Sequence, residues 1–207
     1  MSKTEYRAVM FDLLTALLNS WSLWSRVAGS EQAGLNWRRQ YLKLTYQAGR
    51  YRPYEDIIRE AAKHAGVVCE RADELIQRWG EIEPWPETKR VLQQLLKKVP
   101  VAVATNSSIA FAEVAVSCTG QSIPVVITAE DAGYYKPHPR PYRMALERLG
   151  RQAEHVLFVA GSAADVPGAS GVGMPVFWHN RMNLKPLDST AKPGYMSDSL
   201  WPVLDLV

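Results

Sequence analysis

Five short apolar runs, each closing on a turn or a polar cluster, constrain the fold of this 207-residue chain more than any other feature. They are Tyr6 to Phe11, Val99 to Thr105, Pro124 to Thr128, His155 to Ala160 and Pro175 to Trp178. Runs this short and this poor in charge suit strands buried on both faces of a parallel sheet. Helical patterns separate them. Glu87 to Lys98 places Val91, Leu92, Leu95 and Leu96 on one face, and Pro141 to Leu149 offers Met144, Ala145, Leu146 and Leu149 at similar spacing. Strands alternating with helices predict an α/β fold, a Rossmann-like parallel sheet covered on both faces.

The interval 17–86 reads differently. It shows no strand-like run, but amphipathic stretches rich in Trp, Tyr and Arg: Trp37 to Tyr46, Tyr54 to Ala65 and Ala72 to Trp79. About 70 residues far exceed an ordinary crossover, so the expectation is an inserted all-helical cap domain over a core made of 1–16 and 87–207. Asn180 to Tyr195 reads as an irregular surface stretch, and Leu200 to Val207 is apolar enough to dock back on the core.

Composition narrows the function classes. Lys and Arg number 24 against 21 Asp and Glu, a net charge of +3, and the basic residues are scattered. A nucleic-acid binder concentrates them in a face or stripe, so no nucleic-acid partner is expected. No segment approaches the length of a membrane span, and the first residues lack the apolar core of a leader. Two cysteines, Cys69 and Cys118, build no disulfide framework and read as small buried or semi-buried residues of a protein in the reducing cytoplasm.

Ligands of open parallel sheets bind beyond the carboxyl ends of the strands, and the polar residues at those ends form a coherent set. The first strand is followed by Asp12, the second ends in Thr105 and gives Asn106, Ser107 and Ser108, the third leads to Glu130, Asp131 and Lys136, and the fourth gives Gly161, Ser162 and Asp165. Taken singly, Asp12, Asp165 and the Asn106–Ser108 cluster read as helix caps, and Lys136 as a solvated loop residue. Their recurrence at four successive strand ends favours a shared site.

In this order, Phe11-Asp12, Thr105 to Ser108 (TNSS), Tyr134 to Tyr142 (YYKPHPRPY) and Phe158 to Ala169 (FVAGSAADVPGA) resemble the four motifs of the haloacid dehalogenase superfamily. Within it, the L-2-haloacid dehalogenase branch is most similar. The resemblance spans essentially the whole chain and implies a Rossmann-like core under a helical cap. It implies Asp12 as covalent nucleophile, Lys136 as its counter-charge, and Asp165 as the group positioning that lysine or the hydrolytic water. It implies substrate contacts from Thr105, Asn106, Tyr142 and Ser162, and makes Arg38 in the cap the receiver of a leaving halide. The partner implied is a small carboxylic acid; a homodimer is expected from the likeness alone.

Phosphatases of the superfamily carry a second Asp two residues after the nucleophile and an acidic pair in the fourth motif for Mg²⁺. Here those places hold Leu14 and, at the first of the pair, Ser162. The expectation is therefore a hydrolase with no metal and no cofactor. Departures from the dehalogenase pattern are also visible. Ala16 stands at the usual threonine, Ala160 and Ser162 replace a serine and an asparagine, and Ala164 replaces an aromatic residue. They leave open a related hydrolase, such as one opening azetidine-2-carboxylate at its C–N bond, or a binding protein of this fold that has lost catalysis. Of the four histidines only His138 lies near the expected site, as a loop residue.

Overall fold

The computed structural model of the protein describes residues 6–186 and 192–207. Strand β1 (Ala8–Phe11) leads through Asp12 into one π-helical turn (Leu13–Leu17) and the two-residue strand β2 (Leu18–Asn19). Helices α1 (Ser20–Ala28), α2 (Glu31–Ala48), α3 (Tyr54–Ala65) and α4 (Cys69–Gln77) follow. Strand β3 (Glu83–Pro84) and helix α5 (Thr88–Lys98) bring the chain back to β4 (Val101–Thr105). Then come α6 (Ile109–Cys118), β5 (Val125–Thr128), α7 (Ala129–Ala132), α8 (Pro139–Leu149), β6 (Val156–Ala160), α9 (Asp165–Gly171), β7 (Val176–His179) and β8 (Tyr195–Ser197).

Six strands form one parallel sheet in the order β5-β4-β1-β6-β7-β8. The first strand in sequence is thus central, with Phe11 opposite Val103 on one side and Val159 on the other. Its four residues carry no charge and are all buried, as a strand covered on both faces demands. Alternation divides them: Val9 and Phe11 belong to one apolar cluster, Ala8 and Met10 to the other, with Tyr142, Leu146 and Trp178.

The stretch from Ser20 to Gln77 is helical apart from short turns, as its patterning predicts. Its aromatic residues pack on one another: Trp24 meets Trp37 edge-on at 4.8 Å between centroids, and Tyr41 meets Tyr54 at 5.7 Å. Among the described residues, no helix is long and apolar enough to cross a membrane.

Several local expectations are corrected. Where 17–86 shows no strand-like run, Leu18–Asn19 pairs antiparallel with Glu83–Pro84. Two residues per strand give too little alternation to read in a sequence. The helix expected to reach Trp79 ends at Gln77, and Trp79 begins a 3₁₀ turn. Asn180 to Tyr195 does not stay irregular to its end, because Tyr195 opens β8; residues 187–191 of that stretch lie outside the described part. The C-terminal apolar segment does dock, with Leu200 and Val203 buried and Leu206 accepting a hydrogen bond from the Tyr6 N–H at 2.9 Å. Cys118 is half-buried as expected, but Cys69 is exposed at the start of α4.

Candidate active site

Asp12 sits where the central strand ends, and the strand's neighbours supply what faces it. Its N–H still bonds Val159 in β6, at 3.0 Å, so the residue is fixed as the last rung of the sheet. The π-helical turn beyond winds more widely than an α-helix, with Leu18 N–H returning to Leu13 O. Three donors are thereby aimed back at one carboxylate oxygen. Asp12 Oδ2 accepts from Thr15 N at 2.9 Å, Thr15 Oγ1 at 2.7 Å and Ala16 N at 3.4 Å. Thr15 thus supplies the hydroxyl although Ala16 stands at the motif threonine. Gly161 makes this possible, since a Cβ there would collide with the backbone of Thr15 and Ala16.

The other oxygen, Oδ1, accepts from Lys136 Nζ at 2.9 Å, and the same ammonium lies 2.9 Å from Asp165 Oδ1. All three groups are buried, Lys136 being 1% exposed and Asp12 6%. Burial pushes the Asp12 carboxyl up, but the Lys136 charge and the hydrogen bonds from Lys136 and Thr15 outweigh it and hold it below its ordinary range. For Asp165 burial dominates. Lys136 and the Tyr46 hydroxyl pull it down, the Asp12 charge adds to the rise, and the net result is a carboxyl raised to about 6. Lys136 loses to burial but gains more from two carboxylates, so it stays firmly protonated. The two acids are therefore unlike: one held below the ordinary carboxylate range, one able to exchange a proton near neutrality.

Asn106 holds the lysine. Its amide oxygen accepts Lys136 N–H at 2.7 Å and its Nδ2 donates to Lys136 O at 3.1 Å. Helix α2 is tied to the same place. Tyr41 Oη donates to Asn106 O at 2.9 Å, and the loop after α2 pairs with the loop before Lys136 through Tyr51 N–H to Gly133 O and Tyr135 N–H to Gly49 O.

Arg38, on α2, enters the site from above and is 1% exposed. Its guanidinium lies over the rings of Trp21, Trp24 and Tyr41, at 4.7, 5.3 and 5.5 Å. Nε and Nη1 are buried without a hydrogen-bond partner among the described residues. A buried cation held by aromatic faces, with donors unspent, is prepared for an anion.

These groups surround a small pocket lined by Asp12, Leu14, Thr15, Arg38, Tyr41, Leu42, Tyr46, Asn106, Lys136, Ser162 and Asp165. Of the residues singled out from the sequence, Asp12, Lys136, Asp165, Arg38, Asn106 and Ser162 come together here. Thr105 and Tyr142 do not line it: both are fully enclosed, with hydroxyls that lack partners among the described residues. Ser108 caps α6 by accepting Phe111 N–H, and Glu130 accepts Ile109 N–H at 2.7 Å, so two of that helix's free donors are taken internally. His138 caps α8 and stacks on Tyr134. Among the described residues, no three of His, Cys, Asp and Glu gather as a metal-holding group.

Besides Tyr41, two contributors went unrecognised in the sequence. Tyr46, on α2 two turns beyond Arg38, donates to Asp165 Oδ1 at 3.3 Å; its spacing of eight from Arg38 was the available signal. His179, at the end of β7, is fully buried and lies with Nδ1 2.9 Å from Ala16 O, so the expectation that only His138 lies near the site is corrected. It works with Trp85 Nε1, which donates to Thr15 O, and Thr88 Oγ1, which donates to Leu17 O. Together they satisfy the carbonyls that the wide turn leaves free. Three residues distant in sequence share that task, and no local pattern reveals it.

Comparison with known proteins gives a consistent result. The family model described as haloacid dehalogenase-like hydrolase matches residues 6–173. The chain is 31% identical to an (S)-2-haloacid dehalogenase of Pseudomonas fluorescens, over 79% of this chain and 78% of that protein. Its fold is similar to that of an L-2-haloacid dehalogenase of known structure, with a TM-score of 0.88, 24% identity and 99% of both chains covered. It is also similar to the L-2-haloacid dehalogenase of Xanthobacter autotrophicus with chloropropionic acid covalently bound, with a TM-score of 0.83, 20% identity, and 97% and 98% covered.

Proposed function

The chain belongs to the haloacid dehalogenase-like hydrolases, and we propose that it is a 2-haloacid dehalogenase working through an ester on Asp12, without metal. The observation that carries this reading is the buried Asp12–Lys136 pair facing a guanidinium with unspent donors across one pocket.

The chemistry follows from the two unlike oxygens of Asp12. Oδ2 is engaged by three donors, whereas Oδ1 has only the lysine and keeps a lone pair for attack. Oδ1 displaces the halide at C2, forming a C–O bond while the C–X bond breaks and the halide takes the electron pair to Arg38. A single displacement inverts C2. Oδ2 is then the ester carbonyl, already surrounded by Thr15 N–H, Thr15 Oγ–H and Ala16 N–H. Those donors stabilise the oxyanion when water adds to Cγ. Asp165 takes the proton of that water, and collapse breaks the bond from Cγ to the alkyl oxygen, which receives that proton from Asp165 and leaves as a 2-hydroxy acid.

The same reading treats 17–86 as a cap on a core of 1–16 and 87–207; the pairing of Leu18–Asn19 with Glu83–Pro84 at the two ends of the insertion supports this. A small carboxylate is the ligand. The free thiols of Cys69 and Cys118 suit a reducing cytoplasm, and the expected assembly is a homodimer.

The test is halide release from (S)-2-chloropropionate in the presence of EDTA. Asp12→Asn should lower turnover on the order of 10⁴-fold or more while leaving the fold intact, and protein quenched during turnover should carry a 1-carboxyethyl ester on Asp12. Undiminished release by a clean Asp12→Asn preparation would falsify the covalent role.

A further inference from the structure

Beside the reaction pocket lies a much larger cavity of about 890 Å³, between α2 and the segments 162–167 and 182–185. Leu42, Tyr46 and Ser162 line both spaces, so the two meet there. One stripe of α2 forms a wall, with Leu35, Leu42 and Tyr46 at helical spacing, while Arg38 turns toward the reaction pocket. The facing wall is low because Ser162, Ala163 and Ala164 are all small. Trp21, Met182 and Leu184 make the remainder largely apolar. At the mouth, exposed Arg39, Lys43 and Lys185 outnumber the one acid, Glu31.

The reaction pocket is far smaller than the outer cavity, about 20 Å³ against about 890 Å³. A bulky substituent on C2 cannot be housed there. It extends past Leu42 and Tyr46, where space and apolar surface are both available. We propose that the outer cavity is a subsite for a long apolar 2-substituent. The preferred substrate is then a medium-chain 2-halo acid of about six to ten carbons, a size suited to a cavity of this class, and not a two- or three-carbon acid. The basic mouth attracts such acids from solution. This rests on the dehalogenase reading of the inner pocket, and its test is built to separate the two.

Unhalogenated octanoate and propionate are titrated into the intact protein by calorimetry, which needs no leaving group. Each fully buried methylene strengthens binding roughly fourfold, so five extra methylenes, half-buried, favour octanoate about 30-fold. Leu35→Trp fills the outer cavity at a distance from Asp12 and should reduce that ratio to about threefold or less, while Leu35→Ala should retain it. Halide release should then show the same chain-length order in kcat/KM for 2-bromooctanoate against 2-bromopropionate. Equal affinity for the two acids, or a preference that Leu35→Trp leaves untouched, overturns the subsite. Octanoate preference with no halide release from either bromo acid supports the subsite and overturns the dehalogenase reading alone.

Discussion

Asp165→Asn tests the electrostatics of the site most directly, because one substitution should change both a stability profile and a single kinetic step. The folded protein retains the Asp165 proton up to about pH 6, since burial and the Asp12 charge outweigh the help from Lys136 and Tyr46. In the unfolded chain the same carboxyl titrates near its ordinary 3.8. Between those values the folded state binds more protons, so stability falls as pH rises through the window and the loss is complete above pH 6. Two units at 1.36 kcal/mol each amount to about 3 kcal/mol. Asn keeps an acceptor for Lys136 Nζ and Tyr46 Oη but has no titration. Urea unfolding at pH 4.5, 5.5, 6.5 and 7.5 should therefore show a decline for the wild type that is absent in the variant. In rapid-quench assays the variant should still release halide in a first turnover and then stall, because esterification uses Asp12 and hydrolysis needs the proton acceptor. Parallel pH profiles for the two proteins would refute the account of the raised carboxyl. An equal loss of first-turnover and steady-state rates would refute the assignment to hydrolysis.

Arg38→Met is expected to lower halide release about 10³-fold, more for chloro than for bromo substrates, while leaving stability unchanged or higher. The guanidinium is buried over three rings with two nitrogens unpartnered, so its removal relieves desolvation while giving up cation–π contacts. A stability loss above about 2 kcal/mol in urea unfolding would mean that it is a structural residue. Thr15→Val removes the 2.7 Å hydroxyl donor to Asp12 Oδ2 but keeps the backbone donor. A lost hydrogen bond to a charged oxygen costs about 1–3 kcal/mol, so turnover should fall roughly 10- to 100-fold with ester accumulating, measured by mass spectrometry of the quenched protein.

The sheet was legible because five strands are continuous apolar runs, and burial on both faces leaves that pattern little freedom. β8 was not, since Tyr195, Met196 and Ser197 form an edge strand with neither alternation nor length. In the site, Asp12, Lys136 and Asp165 could be read from their places at strand ends, and the structure brings both carboxylates to 2.9 Å from the lysine ammonium. Thr105 illustrates the limit of that reasoning: it too occupies a strand end, but it is the last residue paired in β4, opposite Thr128, and remains inside the sheet. Asn106, one residue later, has left the ladder and lines the pocket. Strand ends thus identify candidates only to within one residue, and alternation decides which side chain reaches the ligand. Tyr46 and His179 depend on tertiary geometry, one from the cap and one from behind the nucleophile turn.

That geometry also explains how so small a pocket tolerates so much charge. Asp12, Lys136 and Asp165 together carry one net negative charge when both acids are ionised, and Arg38 balances it across the cavity without touching it. A substrate carboxylate entering this space adds a second negative charge in a medium that screens poorly. Asp165 is the group able to respond, because its carboxyl already titrates near neutrality. Substrate binding should push it toward the protonated form, and departure of the halide from Arg38 should release it again, just as the ester needs a base. The low Asp12 and the raised Asp165 are two consequences of placing one ammonium between two buried acids and giving Asp12 three further donors against one, Tyr46, for Asp165. Without the Thr15 donors, Asp12 would lose part of what holds its carboxyl down, and the division of labour between nucleophile and base would narrow.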